Sequence, residues 1–186
     1  MSIRKDAEID PVDQFWEQLD DIRAVLLGVP SSGQHLQPMA PNADRTNNAV
    51  WFFTNKNSDL LKAAAHGAGG QMIFVNSKQN YFASAHGDIK ENKSPDKIDQ
   101  FWSPIVAAWY PEGKEDPSMT LLEMRLEDAA IWAATGNPAV FAWEIAKANM
   151  TGDTPDVGHT KRIRFGEMPS DDERYDDKRA SRMGLT

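Results

Sequence analysis

The stretch from Trp51 to Lys62 combines groups that could bind an anion. An aromatic, β-prone run ends at Thr54, and Asn55 and Ser58 follow where a helix is predicted to begin. Hydroxyl groups, a lysine and the free N–H groups of a helix start could together hold one phosphate. The same pattern is also that of an ordinary capped helix, so the residues of this stretch leave both interpretations open.

Two further side chains are suited to a flat, anionic ligand. Lys78 lies in the turn between two predicted strands and offers a second cation. Trp109 lies at the end of an aromatic helix and could stack on a planar ring. A solvated hairpin tip is the usual place for such a lysine, and core packing or a dimer interface is an equally good interpretation for the tryptophan.

Metal and thiol chemistry find little support in the sequence. The chain has no cysteine, which excludes disulfides, zinc–thiolate sites and cysteine nucleophiles. None of the four histidines lies at a metal-ligand spacing from another histidine or a carboxylate on one evident helix. We therefore predict no metal site, and we assign no catalytic residue.

The charge balance argues against nucleic acid and membrane partners. Lys and Arg total 20 and Asp and Glu total 28, which gives a net charge of −8 and a pI of about 5.0. No apolar run approaches the roughly 20 residues that span a bilayer, and the start MSIRKDAEID lacks the apolar segment of a secretory signal. We expect a cytoplasmic protein.

The candidate site residues are positioned mainly by short strands. Apolar periodicity predicts helices over 11–23, 59–66, 95–109 (kinked or split at Pro104) and from 137 onward. Strands are predicted at 24–29, 35–39, 50–54, 72–75, 81–89, and 120–126 with 129–133 after a break, and loops or turns at 42–48 and 67–70. About six short strands joined by turns are typical of an antiparallel barrel or sheet with helices at its ends, a mainly β (α+β) fold.

The composition divides the chain into three parts. Residues 1–10 are predicted to be a flexible arm and 11–152 a single domain ending in a helix. Residues 153–186 hold eight acidic and seven basic residues, too polar to form a core alone, and are predicted to be a poorly ordered tail. Within this tail, Ile163 and Phe165 are candidates for a brief strand.

Eight segments in the same order resemble the general stress protein subgroup of the pyridoxamine 5′-phosphate oxidase-like family. They are residues 34–39, 50–54, 57–60, 74–78, 81–87, 101–110 (FWSPIVAAWY), 112–117 and 129–132. Each segment alone is a weak signal, but eight in register over roughly 12–150 are fairly specific. The resemblance implies a six-stranded split β-barrel that binds FMN, or FAD as the alternative, at the interface of a homodimer.

Carried over position by position, the resemblance also implies which residues contact the flavin. They are Gln37, Pro38, Met39, Phe53, Thr54, Asn55, Ser58, Lys62, Lys78 and Trp109. Lys78 and Trp109 would come from the second subunit or the pocket rim. Asp59-Leu60 follows Ser58 where many relatives have a cation for the phosphate, so that Lys56 or Lys62 would have to take that role.

Three functions are consistent with this resemblance. The first is a flavin-dependent oxidoreductase of stress-protein type with an unknown substrate. The second is a true pyridoxamine-phosphate oxidase or flavin reductase. The third is a flavin-free or flavin-storing interaction protein on the same fold. Bulky apolar residues over 98–109 and 51–53 exceed what a small barrel covers, which independently predicts a dimer interface.

Overall fold

One antiparallel sheet, curled on itself and flanked by helices, makes up most of the protein. The structure is a computed structural model that describes residues 10–64, 67–134, 136–152, 154–155 and 158–166. Its helices are α1 (Pro11–Asp20), α2 (Asp59–Ala64), α3 (Pro95–Phe101), α4 (Pro104–Ala107) and α5 (Pro138–Thr151). Its strands are β1 (Val25–Gly28), β2 (Gln37–Met39), β3 (Asn42–Asp44), β4 (Ala49–Asn55), β5 (Ala68–Val75), β6 (Tyr81–Glu91), β7 (Met119–Ala134) and β8 (Gly158–Arg164).

The strand order explains why the sheet closes into a split barrel. The order is β2-β1-β5-β6-β7-β4-β3, and β8 pairs with the C-terminal half of β7. Strands β2 and β3 lie at opposite ends of this order, yet only residues 40 and 41 separate them in the chain. Because three Cα-to-Cα steps span at most roughly 11 Å, the two ends of the sheet must approach each other.

The inside of this curl holds the main hydrophobic core. Inward-facing side chains of the long strands, such as Phe52, Met72 and Leu122, are fully buried there. Helix α1 presents its apolar face to the core, with Phe15 0% exposed. The Phe15 ring meets that of Phe165 edge to face at 5.0 Å between centroids, so the residue after β8 also belongs to the core.

Helix α3 forms a second layer on the outer face of β4 and β7. Trp51 and Leu121 are buried on that face, and Ile98, Phe101 and Phe53 pack against them. Part of the apolar area that predicted a dimer interface is thus covered within one chain, whereas Ile105 and Trp109 of the same segment are exposed. The homodimer itself stays a prediction.

The predicted fold class is confirmed, but six strands was too few, because the described residues contain eight. The predicted loop at 42–48 contains β3, which pairs with the start of β4. The predicted break at 127–128 is instead a bulge, because the register between β6 and β7 shifts at His86/Gly87 while β7 continues. After α2, Gly67 has φ +82° and its N–H donates to the Ala64 carbonyl, while residues 65 and 66 of the predicted helix lie outside the described residues. The glycine-rich turn expected at 67–70 is mostly strand, since Ala68 already begins β5.

The helix predicted at 95–109 is split before Pro104 into α3 and α4. The predicted brief strand around Ile163 is confirmed as β8, so the sheet extends beyond the boundary placed after residue 152. The arm at 1–9 and the part of the tail from 167 onward lie outside the described residues. None of the described helices is long and apolar enough to span a membrane.

Candidate functional site

The end of β4 and the start of α2 form a polar corner, defined here as the β4–α2 corner (residues 53–62). Thr54 is buried, with its hydroxyl 3.1 Å from the Ser58 hydroxyl oxygen, to which it donates. Ser58 Oγ also accepts from the backbone N–H of Leu61 at 3.2 Å. Since both hydrogen bonds donate to Ser58, its own proton remains available for an acceptor outside the corner.

Two of the three charged side chains at this corner, Asp59 and Lys62, are paired with each other, whereas Lys56 Nζ donates to the Pro117 carbonyl at 2.5 Å. Lys62 Nζ lies 2.8 Å from Asp59 Oδ1, and both side chains are mostly exposed. The hydrogen bond and positive charge of Lys62 hold the pKa of Asp59 below its ordinary value. Asp59 is therefore ionised at neutral pH, and the pair contributes no net charge to an anion beside Ser58.

A set of aromatic rings lies on the opposite face of β4, and we call it the aromatic wall (Phe53, Trp102, Tyr110). Phe53 is half-buried, with its ring centroid 6.0 Å from that of Trp102 and 6.4 Å from that of Tyr110. Burial, with a smaller contribution from the charge of Asp116, raises the pKa of Tyr110, which keeps its phenol neutral. Trp109, next to the wall, is 78% exposed.

Trp102 and Tyr110 were missed as wall residues in the sequence analysis, which singled out Trp109. The signal was present, because both lie in the FWSPIVAAWY segment. Because the segment is split at Pro104, the residues after the split do not follow the spacing of one continuous helix. The Tyr110 ring therefore faces Phe53, and Trp109 faces solvent.

Strand β2 places its three predicted site residues on two faces. Met39 is half-buried and packs against the main core, whereas Pro38 is exposed. Gln37 is half-buried and, by alternation along the strand, shares the face of Met39. The three side chains therefore cannot line one surface together. The preceding loop does reach the corner, because Gln34 Nε2 donates to the Asp59 carbonyl at 3.3 Å.

Asn55 and Lys78 have different surroundings. Asn55 is exposed at the end of β4, where its side chain accepts from the N–H of Asn57 at 2.8 Å. Lys78 is exposed at the β5–β6 turn, beside a shallow polar cleft lined also by Gln18 and Asp21 of the α1 end. The structure thus brings Thr54, Asn55, Ser58 and Lys62 to one corner, places the Phe53 ring on the opposite face of β4, and gives no contact between Lys78 and the corner.

An ion pair that the sequence analysis did not find, between Lys97 and the buried Asp44, joins α3 to the sheet. Lys97 Nζ lies 2.6 Å from Asp44 Oδ2 and sits over the Trp51 and Phe101 rings at 5.8 and 5.7 Å from their centroids. Burial alone would raise the pKa of Asp44, but hydrogen bonds from Lys97 and Asn47 and the Lys97 charge outweigh it and lower that pKa. The pair fixes α3 over β4.

Within the part of the chain that the structure describes, no group of three or more His, Asp or Glu side chains is arranged to hold a metal ion. The chemistry that the corner and wall offer is hydrogen bonding, charge pairing and ring stacking.

Comparison with known proteins identifies the family. The family model described as "pyridoxamine 5′-phosphate oxidase like" matches residues 10–156, so the chain belongs to this family. The search of curated proteins gave no match.

Solved structures agree with this assignment. A protein described as general stress protein 26 from Jannaschia sp. CCS1 is 34% identical, with a TM-score of 0.70 over 84% of this chain and 99% of that chain. A general stress FMN/FAD binding protein from Xanthomonas citri is 34% identical, with a TM-score of 0.60 over 65% of this chain and 87% of that one. The general stress protein 26 from Bacillus anthracis is 11% identical at a TM-score of 0.58 and shares the fold alone.

Proposed function

We propose that this chain binds a flavin at the β4–α2 corner, as FMN or, alternatively, FAD, and that it acts there as a flavin-dependent oxidoreductase on a small molecule. The observation that carries this proposal is the juxtaposition at the end of β4. Phe53 is part of the aromatic wall, and the next residue, Thr54, donates a hydrogen bond that orients the Ser58 hydroxyl. The likeness to an FMN/FAD binding protein at 34% identity supports the same cofactor class.

The donor set fits the uncharged parts of a flavin well and its phosphate only in part. The rings of the wall and the exposed Trp109 offer aromatic surface for a tricyclic ring. Ser58 can donate one hydrogen bond, and Lys62 can contribute an ammonium group. Against this, the Asp59 carboxylate lies on Lys62 and repels a phosphate dianion.

The residues of this chain would have distinct tasks around a bound flavin. Thr54 and the Leu61 N–H hold Ser58 with its proton outward, so the donor needs no reorganisation on binding. The wall, held by α3, excludes water from one side of the ring. A bound flavin would supply hydride or electron transfer at its ring system.

The proposed assembly is a homodimer with the flavin at the subunit interface. Trp109 and Ile105 beside the wall are 78% and 74% exposed, an apolar surface suited to such a seam. Lys78, which is remote from the corner in the contacts of one chain, would reach the flavin of the second subunit. A cytoplasmic location stays an expectation.

Substitution of Asp59 tests most directly whether the flavin phosphate binds at the β4–α2 corner. The Asp59→Asn variant removes the repelling charge and releases Lys62. FMN affinity is expected to rise about 5- to 10-fold, an order of magnitude typical of one charge near the surface. Riboflavin, which lacks the phosphate, is expected to bind the variant and the parent protein equally. Fluorescence titration with each flavin measures both values.

Lys62→Ala and Lys93→Ala form a matched pair. Both lysines are exposed and ion-paired to one carboxylate, Lys62 at the corner and Lys93 with Glu91. Loss of about tenfold in FMN affinity is expected for Lys62→Ala alone. If Lys62→Ala and Lys93→Ala lose the same FMN affinity, the flavin phosphate does not lie at this corner. The same holds if Asp59→Asn changes the affinities for FMN and riboflavin equally.

One observation favours the flavin-free interaction protein as the second candidate. Asp59 neutralises Lys62, one of the two lysines at the corner, and a phosphate-binding site does not require such a carboxylate. A protein that binds neither FMN, FAD nor riboflavin would support this candidate over the first.

A further inference from the structure

A run of tight turns connects the aromatic wall to the sheet, and we call it the wall turn (residues 110–119). Its backbone hydrogen bonds follow one another in steps of three. The Gly113 N–H donates to the Tyr110 carbonyl at 2.9 Å, and the Asp116 N–H donates to the Gly113 carbonyl at 3.1 Å. The Met119 N–H then donates to the Asp116 carbonyl at 3.0 Å. Because each turn begins where the previous one ends, the position of Tyr110 depends on where the wall turn meets the sheet.

Lys56, the residue after β4, holds the far end of the wall turn. Its backbone N–H donates to the Ser118 carbonyl at 2.8 Å, and its Nζ donates to the Pro117 carbonyl at 2.5 Å. The backbone contact continues the pairing of β4 with β7, in which Asn55 lies opposite Met119. Any residue at position 56 except proline could make that backbone contact. The contact with Pro117 needs a long side chain that ends in a donor, so it depends on the lysine.

The carboxylate of Asp116 stabilises the wall turn from within. Its Oδ1 accepts from the N–H of Ser118 at 2.9 Å and from the Ser118 hydroxyl at 2.6 Å. Its Oδ2 accepts from the N–H of Glu112 at 3.5 Å. The hydrogen bonds from Ser118 lower the pKa of Asp116, and the positive charge of Lys56 adds to this effect. Asp116 is therefore ionised at neutral pH, and Lys56 stabilises its charge.

A second carboxylate near Lys56 belongs to Glu91, at the end of β6. Glu91 Oε1 accepts from the Thr120 hydroxyl at 2.6 Å and lies 3.2 Å from Lys93 Nζ. The Thr120 hydrogen bond lowers the pKa of Glu91, with further contributions from Lys93 and from the charge of Lys56. An anion bound at Lys56 would thus be repelled by two ionised carboxylates.

We propose that Lys56 is a positioning residue for the aromatic wall and not the cation that binds a phosphate. It holds the wall turn so that the buried Tyr110 lies against Phe53, with 6.4 Å between the ring centroids. Phe53 lies only three positions before Lys56, so this short segment carries both the ring and the residue that positions its neighbour. The consequence for flavin binding rests on the function proposed above, whereas the effect on the wall does not.

A second anchor keeps the wall turn folded when Lys56 is replaced. Lys114, in the middle of the turn, has its Nζ 2.5 Å from Asp99 Oδ1 of α3. The turn is therefore held at its middle by Lys114 and at its end by Lys56. Loss of the Lys56 side chain is expected to displace Tyr110 without unfolding the segment.

The chain has three tyrosines, so the ring of Tyr110 can be observed by NMR without flavin. The full-length protein is labelled with ¹³C in its tyrosine rings, and the Tyr110→Phe variant assigns the signal. Lys56→Met, which keeps the alkyl chain and removes the ammonium group, is expected to move the Tyr110 signal toward its position in the unfolded protein. Lys56→Arg, which keeps a cationic donor, is expected to preserve the parent signal.

Lys93→Met is the matched control for this measurement. Lys93 shares the neighbour Glu91 with Lys56, but of these two lysines only Lys56 contacts the wall turn in the described part of the chain. Lys93→Met is therefore expected to leave the Tyr110 signal unchanged. An unchanged Tyr110 signal in Lys56→Met, or the same shift in Lys93→Met, would overturn the inference.

Flavin titration separates positioning from phosphate binding. Lys56→Met is expected to weaken FMN and riboflavin binding by the same factor, about fivefold, the effect of one ordinary hydrogen bond. Lys56→Arg is expected to restore both affinities. A loss for FMN but not for riboflavin would make Lys56 a phosphate ligand and contradict the inference. A chain that binds neither flavin would contradict the proposed function, and the tyrosine signals would still decide the role of Lys56.

Discussion

The Asp44–Lys97 pair allows the packing of α3 to be tested quantitatively. Asp44 is 6% exposed and accepts from Lys97 Nζ at 2.6 Å, from Asn47 Nδ2 at 2.9 Å and from Trp51 Nε1 at 3.3 Å. Asp44→Asn keeps the shape of the side chain and removes its charge, which leaves Lys97 partly buried without a counter-ion. Breaking a fully buried pair costs about 3–5 kcal/mol. Because the Lys97 side chain is 20% exposed, we expect about 3 kcal/mol.

The pH dependence of this effect has a defined sign. The pKa of Asp44 is lower in the folded protein than in the unfolded chain. The stabilisation is therefore complete above the unfolded pKa, about 3.9, and is lost as the pH falls through the folded pKa. The difference between parent and variant is expected to be constant from neutral pH down to about pH 5 and to shrink below about pH 4.

The assay is urea unfolding followed by tryptophan fluorescence, with Lys97→Met and the double variant completing a cycle. Lys97→Met keeps an alkyl chain over Trp51 and removes the charge. Asp99→Asn is the matched control, since Asp99 lies on the same helix in an exposed pair with Lys114 and is expected to cost less than about 0.5 kcal/mol. A coupling free energy near zero in the cycle, or equal costs for Asp44→Asn and Asp99→Asn, would refute the reasoning.

Three further substitutions test the barrel itself. Tyr81→Phe is expected to raise the free energy of unfolding by about 1 kcal/mol, because the buried Tyr81 hydroxyl has no hydrogen-bond partner among the described residues; a loss of stability in urea would argue against this. Gly87→Ala is expected to cost about 3 kcal/mol, since its Cβ would lie 1.9 Å from the Arg125 carbonyl oxygen at the bulge, and a neutral effect on the melting temperature would contradict it. Phe165→Ala is expected to cost about 3 kcal/mol by opening the contact with Phe15, whereas the same melting temperature as the parent would show that the end of β8 lies outside the core.

The sequence predicts the long elements of this fold because each carries its own periodic pattern. Strand β6 and helix α1 are apolar at positions that suit one buried face, β4 is a continuous apolar run buried on both faces, and the structure confirms all three. Strand β3 has no such pattern, because Asn42-Ala43-Asp44 pairs only where the start of β4 offers a free edge. Tertiary pairing of this kind cannot be inferred from two polar residues and one alanine.

The candidate site was predictable only in part for the same reason. Ser58 and Thr54 lie four residues apart, so their hydrogen bond follows from local turn and helix geometry. The Asp44–Lys97 pair joins residues 53 positions apart and depends on α3 crossing β4. The exposed position of Trp109 depends on the backbone turn between α4 and Tyr110, which the apolar spacing alone does not reveal.

Titration of the purified full-length chain with FMN tests the central claim most directly. Quenching of flavin fluorescence should saturate at one FMN per chain, and the Asp59→Asn variant should saturate at 5- to 10-fold lower FMN concentration, the estimate for one removed charge. A fluorescence signal that stays linear with added FMN, FAD and riboflavin, in the parent and in the variant, would contradict the claim that the β4–α2 corner is a flavin site.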